Sequence, residues 1–294
     1  MLIFDETTLR KLENLTLIAD QVRVGVMKGN RRSSKRGSAI DFADYRDYAQ
    51  GDDLRRLDWN VYARLERPFI KLFEAEEDLT VHLLVDSSAS MDWPPESNDN
   101  KLHHALQLTG ALGHIALATG DRVTVTLLNS QHERSWGPFR HQQNSLHLFR
   151  FLESATPGGL TDINLSLKNY ALRARRPGLL LLFSDLLTQN GYKEGLNALQ
   201  ARGYEIGIIH ILSPAETNPD MHGDLKLIDV ESGLDSEITL DASTHAQYRA
   251  NLANWQNEIA QFCHKRSIHF IPVSTDESWE KLILQTFRGQ GVVK

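Results

Sequence analysis

From about residue 78 the chain alternates short, almost wholly apolar runs with longer segments whose apolar residues recur every three or four positions. The apolar runs are TVHLLVD at 80–86, GLLLLFSD at 178–185, YEIGIIHIL at 204–212 and IHFIPVS at 268–274. Each has the length of a strand, and none shows the polar-apolar alternation of a half-exposed one. RVTVTLLN at 122–129 does alternate, setting Val123, Val125 and Leu127 against threonines, and a second short strand is predicted over 132–139. Between the runs lie helical patterns: 101–119 places Leu102, Ala105, Leu106, Leu112, Ile115 and Ala116 on one face and stops at Gly120, with further helices near 142–154 and 162–174. Tyr248, Leu252, Trp255, Ile259 and Phe262 predict one buried stripe, and Trp279, Leu282, Ile283 and Phe287 a similar one on a last helix. LKLIDVESGLDSEITL reads as a hairpin turning at Ser232–Gly233. Fully apolar strands alternating with helices make an α/β protein, its mostly parallel open sheet covered by helices on both faces. Residues 1–77 are polar and charge-dense, so they are read as an N-terminal extension to an α/β domain over 78–294. PFIKLFE at 68–74 predicts an extra strand, and with it an extension that packs on the sheet.

The composition excludes several classes of function. The net charge of −6 and pI near 6.1 give no global attraction to nucleic acid or anionic lipid. The single cysteine, Cys263, rules out an internal disulfide framework and sits in an amphipathic helical pattern, where a buried structural thiol is expected. The start, MLIFDETTLRKLENL, lacks the basic and apolar regions of a signal peptide, and no apolar stretch approaches the ~18 residues that span a bilayer. A soluble cytoplasmic protein is expected. His103 and His104 are adjacent, so they do not form the i,i+4 pair of a helical zinc site.

Candidate chemistry gathers at strand ends, where open α/β sheets place their ligands. The first apolar run ends in Asp86-Ser87-Ser88-Ala89-Ser90, the 178–184 run ends in Ser184-Asp185, and the loop before the helix near 162 reads Pro157-Gly158-Gly159-Leu160-Thr161-Asp162. A hard cation such as Mg²⁺ takes about six oxygen ligands and tolerates few carboxylates, keeping water elsewhere. Hydroxyls are neutral donors, so two aspartates with Ser88, Ser90 and Thr161 would hold the ion without neutralising it. Either Thr161 or Asp162 could instead cap the following helix.

These residues resemble the von Willebrand factor A fold carrying a metal-ion-dependent adhesion site. That motif is DxSxS after the first strand, a threonine in a middle loop and an aspartate after a later strand. The resemblance implies metal ligands Asp86, Ser88, Ser90, Thr161 and Asp185, with Mg²⁺ or Mn²⁺ as cofactor and an acidic partner side chain, or water, completing the shell. Upstream, residues 37–77 carry GDDLRRLDW, then AR, then a basic-hydrophobic strand ending in FE. This block is similar to the signature of the bacterial "domain of unknown function 58" family. The resemblance implies a protein-interaction role beside a MoxR-type AAA+ ATPase as partner, and no enzyme activity. Two alternatives stay open: a metal-dependent hydrolase, and a scaffold whose metal site is empty. Against hydrolysis, position 88 is serine where a phospho-aspartate enzyme wants a second acid, and the chain has neither a GxSxG elbow nor a Walker A sequence. The charged upstream block reads as ion pairs that fix a loop, or as a docking surface anchored by Trp59. Lys28, Arg31, Arg32, Lys35 and Arg36 read as a solvated basic loop.

Overall fold

The computed structural model describes residues 4–19, 40–49, 52–75, 79–95, 97–129, 133–173, 176–220, 223–228 and 235–294. The chain divides into two units, Met1–Val22 with Leu79–Lys294, and Arg23–Asp78. The division therefore differs from the expected one at 1–77. Helix α1 (Glu6–Leu12) and the strand-like segment after it belong to the α/β unit. The cause is a backbone pairing across almost the whole chain. Thr16 N–H donates to Lys294 O at 3.0 Å, Lys294 N–H returns the bond at 2.9 Å, and Leu17 bridges Val293. Leu12, Leu15 and Leu17 are buried in the main core as a result.

In the unit Arg23–Asp78, strands β1 (Ile40–Asp47) and β2 (Phe69–Ala75) form an antiparallel pair around helix α2 (Trp59–Leu65). The strand expected at 68–74 is thus present, but it belongs to this two-stranded sheet. The aspartates of GDDLRRLDW act chiefly as backbone caps. Asp52 accepts from Ala49 N–H, Asp53 from Arg55 N–H, and Asp58 from Asn60 and Val61 N–H at the start of α2. Asp52 also pairs with Arg46 at 2.7 Å. Trp59 stands 62% exposed. The basic loop at 28–36 and the Ser232–Gly233 turn lie outside the described residues.

The α/β unit continues with β3 (Thr80–Asp86), α3 (Lys101–Ala118), β4 (Arg122–Leu128) and β5 (Arg134–Phe139). Helices α4 (Ser145–Glu153) and α5 (Ile163–Arg173) precede β6 (Leu179–Ser184), α6 (Lys193–Ala201) and β7 (Glu205–Leu212). Next come α7 (Pro214–Thr217), the hairpin β8 (Gly223–Ile228) and β9 (Asp235–Leu240), α8 (Ala242–His264) and β10 (His269–Ser274). A short helical turn, Trp279–Lys281, widens into a π-helix over Leu282–Phe287.

The six-stranded sheet has the order β10-β7-β6-β3-β4-β5, parallel except for the antiparallel edge strand β5. This is the α/β architecture expected from the pattern. The strands β3, β6 and β7 are buried along their full length, which is why they read as continuous apolar runs. Each edge carries a proline, Pro272 in β10 and Pro138 in β5, where a missing N–H costs no interior ladder bond. One face is covered by α1, α3, α4 and the C-terminal π-helix, the other by α5, α6 and α8. Helix α3 is buried nearly all round, because the sheet lies on one side and α1 and α4 on the other. The stripe on α8 is only partly covered: Ile259 and Cys263 are buried, whereas Tyr248 at its N-terminal end is exposed. Burial pushes the Cys263 thiol up to about 12, in keeping with a structural, unreactive residue. Among the described residues no helix is long and apolar enough to cross a membrane.

Candidate metal centre

Strand β3 has β4 on one side and β6 on the other, so the chain reverses its direction of winding between β3 and β6. A crevice opens at the carboxyl ends of strands at such a reversal. Asp86 closes β3 and Asp185 follows β6, which brings residues 99 positions apart in the chain to that crevice. Both are buried.

The loop after β3 is pinned from within and from its neighbour. Asp86 Oδ1 accepts from Ser88 N–H at 3.0 Å, and Asp86 Oδ2 accepts from Ser184 Oγ at 2.8 Å. Ser88 Oγ and Ser90 Oγ lie 3.0 Å apart. Neither serine caps the following helix; Asn100 does so, accepting from His103 N–H at 2.9 Å. The glycine loop approaches by backbone: Gly158 N–H donates to Ser87 O and Ala89 N–H to Gly159 O, both at 3.0 Å. Gly158 and Gly159 have φ of 152° and 71°, conformations that side chains disfavour.

Asp162 takes the cap of α5, accepting from Leu165 N–H at 2.8 Å. Thr161 is thereby left to the crevice, with its hydroxyl donating weakly to Leu128 O at 3.4 Å. A hydroxyl that donates its hydrogen to a carbonyl keeps its lone pairs for another ligand. Thr188 Oγ1 donates to Thr161 O at 3.4 Å, which ties this loop to the one carrying Asp185. The three loops thus converge, with all five expected ligand residues on them.

Electrostatically the crevice is short of positive charge. Burial, then the charge of Asp185, pushes the Asp86 carboxyl up to about 7, against the pull of hydrogen bonds from Ser88 and Ser184. A cation would relieve that cost. Among the described residues no three His, Cys, Asp or Glu side chains gather as a metal cluster. A divalent ion here would therefore depend on hydroxyls and water, as a hard, oxygen-seeking ion does. The donor set fits Mg²⁺ or Mn²⁺.

Two participants are not visible in the motif. Lys101, the first residue of α3, is 0% exposed, and its ammonium donates to Asp185 Oδ2 at 2.7 Å and to Glu216 Oε1 at 2.5 Å. Glu216 is itself fixed by Ser213, whose N–H donates to its other oxygen at 2.8 Å. His210 Nε2 lies 3.0 Å from Asp185 O and braces the loop from β7, while burial holds its imidazole at about 4 and neutral. One signal of Lys101 was available: a lysine in the first turn of a helix opposes the macrodipole and calls for nearby carboxylates.

Residues 44–258 match the family described as "Protein of unknown function DUF58". Uncharacterized proteins of Mycobacterium tuberculosis and Mycobacterium bovis are each 27% identical over 273 residues, which is 91% of this chain and 85% of theirs. Among solved structures, an aerotolerance-related membrane protein from Bacteroides fragilis aligns over 72% of this chain and 99% of its own, at 16% identity and a TM-score of 0.44. The conserved hypothetical protein BatB from Bacteroides thetaiotaomicron aligns over 72% and 98%, at 16% identity and 0.41. The manganese-loaded TRAP protein of Plasmodium vivax aligns over 45% and 57%, at 20% identity and 0.36.

Proposed function

This chain belongs to the DUF58 family, and from that premise we propose that it is a non-catalytic, divalent-cation-dependent protein-interaction module working with a MoxR-type AAA+ ATPase. The observation that carries the reading is the convergence of two buried carboxylates and three hydroxyls on three loops at one crevice of the sheet. Asp86, Ser88, Ser90, Thr161 and Asp185 would hold Mg²⁺ or Mn²⁺. The ion would supply a positive charge that the neutral hydroxyls leave incompletely quenched, and hence affinity for a carboxylate brought by the partner.

The residues around the crevice favour binding over turnover. Ser184 is committed to structure, donating to Asp86 and accepting from Leu186 N–H at 2.9 Å. His210 is enclosed by Trp255 and Phe270, with ring centroids at 5.1 and 5.6 Å, and is held neutral by burial; it is poorly placed to serve as a solvent-facing base. Capture of a MoxR-type ATPase from the same organism tests the proposal. Binding is expected in Mg²⁺ and lost in EDTA or in Asp86→Ala. Capture that survives both would overturn it, and multiple turnover on phosphate esters abolished by Ser88→Ala would move the reading to a hydrolase.

A further inference from the structure

Local physics makes position 101 a poor place for a cation. It is the first residue of an 18-residue helix, where the aligned peptide dipoles present positive charge, and it is removed from water. A buried ammonium persists only with carboxylates around it. Lys101 has two, on loops that follow different strands: Asp185 after β6, and Glu216 in α7 after β7. One of the two is also an expected metal ligand. The ammonium at Asp185 therefore occupies coordination capacity that a divalent ion needs.

With Asp86 ionised, as a metal ligand has to be, Asp86, Asp185 and Glu216 carry three negative charges, and Lys101 carries one positive charge. Two charges remain uncompensated, the amount that one divalent cation carries. Glu216 is braced independently of Lys101. Its second oxygen accepts from Ser213 N–H and Ser213 Oγ, and its backbone O accepts from Tyr248 Oη at 2.7 Å. It can therefore hold the ammonium alone.

We propose, resting on the metal reading above, that Lys101 is a tethered counter-cation of the metal site: it holds Asp185 while the metal is absent and competes with the divalent ion for that carboxylate, with Glu216 as the partner it keeps. Lys101 then sets the affinity of the site. It makes metal uptake weaker and more reversible than the five ligands alone would, and it keeps the loops after β6 and β7 together in the metal-free protein.

The test is a Mn²⁺ titration of the full chain, read by the paramagnetic resonance of free Mn²⁺, on wild type, Lys101→Met and Glu216→Gln. Lys101→Met is expected to bind about ten-fold more tightly or better, since a unit charge a few ångströms away at an effective dielectric near 20 is worth at least that. Its metal-free melting temperature falls, and saturating Mn²⁺ recovers more of the loss than the shift it gives wild type. Glu216→Gln moves the affinity the other way, because Lys101 then has only Asp185. Should Lys101→Met fail to fold without metal, Glu216→Gln alone decides by the sign of its shift. Unchanged or weaker binding by Lys101→Met, or tighter binding by Glu216→Gln, overturns the proposal. Binding by Lys101→Met without binding by wild type supports the competition while overturning metal dependence of the natural protein. No binding by any of the three overturns both.

Discussion

Thr161 and Asp162 are adjacent and chemically similar as helix caps, yet the fold gives them different tasks. Asp162 reaches Leu165 N–H and Asn190 Nδ2, whereas Thr161 is buried among the loops of the crevice. Their variants should separate accordingly. Asp162→Ala is expected to cost about 1 kcal/mol of folding stability, the usual worth of a cap, with Mn²⁺ affinity close to wild type. Thr161→Val keeps the volume and removes the oxygen, so it should weaken Mn²⁺ binding with a smaller stability change. Urea denaturation and metal titration of both variants check this; the reverse pattern would show that Thr161 is structural. The sequence left both residues open as caps, because spacing alone does not say which one turns into the helix. The placement of Asp86, Ser88, Ser90 and Asp185 at or beyond strand ends was readable, because strand ends are marked by where apolar runs stop. The pairing of Lys101 was not: its place in the first turn of a helix calls for carboxylates, but Asp185 and Glu216 lie 84 and 115 positions away and nothing in the sequence singles them out.

At the level of elements, the crevice depends on how closely β3 and β6 run together. Val81 pairs with Leu179 and Val85 with Phe183, and the approach at the start of β6 requires glycine. A Cβ on Gly178 would lie 2.0 Å from Thr80 O, a backbone atom that no rotamer change relieves. Gly178→Ala should therefore destabilise by about 2–3 kcal/mol, measured as a lower urea midpoint with unchanged slope. A neutral result would mean that the strands separate at this end without cost. The strands were legible in the sequence because a parallel sheet covered on both faces demands unbroken apolar runs. The helices were less so. A one-sided stripe assumes one covering layer, but α3 is enclosed by the sheet, α1 and α4, and its Gly110 and Gly113 admit Phe4 and Leu148. On α8 the opposite happens: a regular stripe continues past the edge of the core, and Tyr248 turns its hydroxyl to Glu216 instead.

For the whole molecule, the long-range closure at residues 16–18 and 292–294 is what the sequence concealed, since a polar N-terminal region gives no sign of its partner in the chain. A global consequence of burial is legible only in the fold. Burial depresses His82, His104 and His210 each to about 4, below the ~6.5 of an unfolded histidine. These residues are neutral when folded and take up protons on unfolding at mildly acidic pH. Their contribution to stability is present above about 6.5 and is lost as pH falls toward 4. Asp86, raised to about 7, works the other way in the metal-free protein: between about 3.9 and 7 the folded state holds a proton that the unfolded state releases. The lowered imidazoles outnumber the one raised carboxyl, so unfolding takes up protons on balance and stability is expected to fall as pH drops from about 6.5 toward 4. Urea midpoints in chelator across that range measure it, and a flat profile would contradict the burial of these imidazoles.

Whether the crevice holds a metal is decided by a crystal grown with Mn²⁺ and examined by anomalous scattering. One strong peak is expected in the crevice bounded by Asp86, Ser88, Ser90, Thr161 and Asp185, absent from Asp86→Ala. A crystal in millimolar Mn²⁺ with no peak there, and with Lys101 still paired to Asp185, would contradict that expectation.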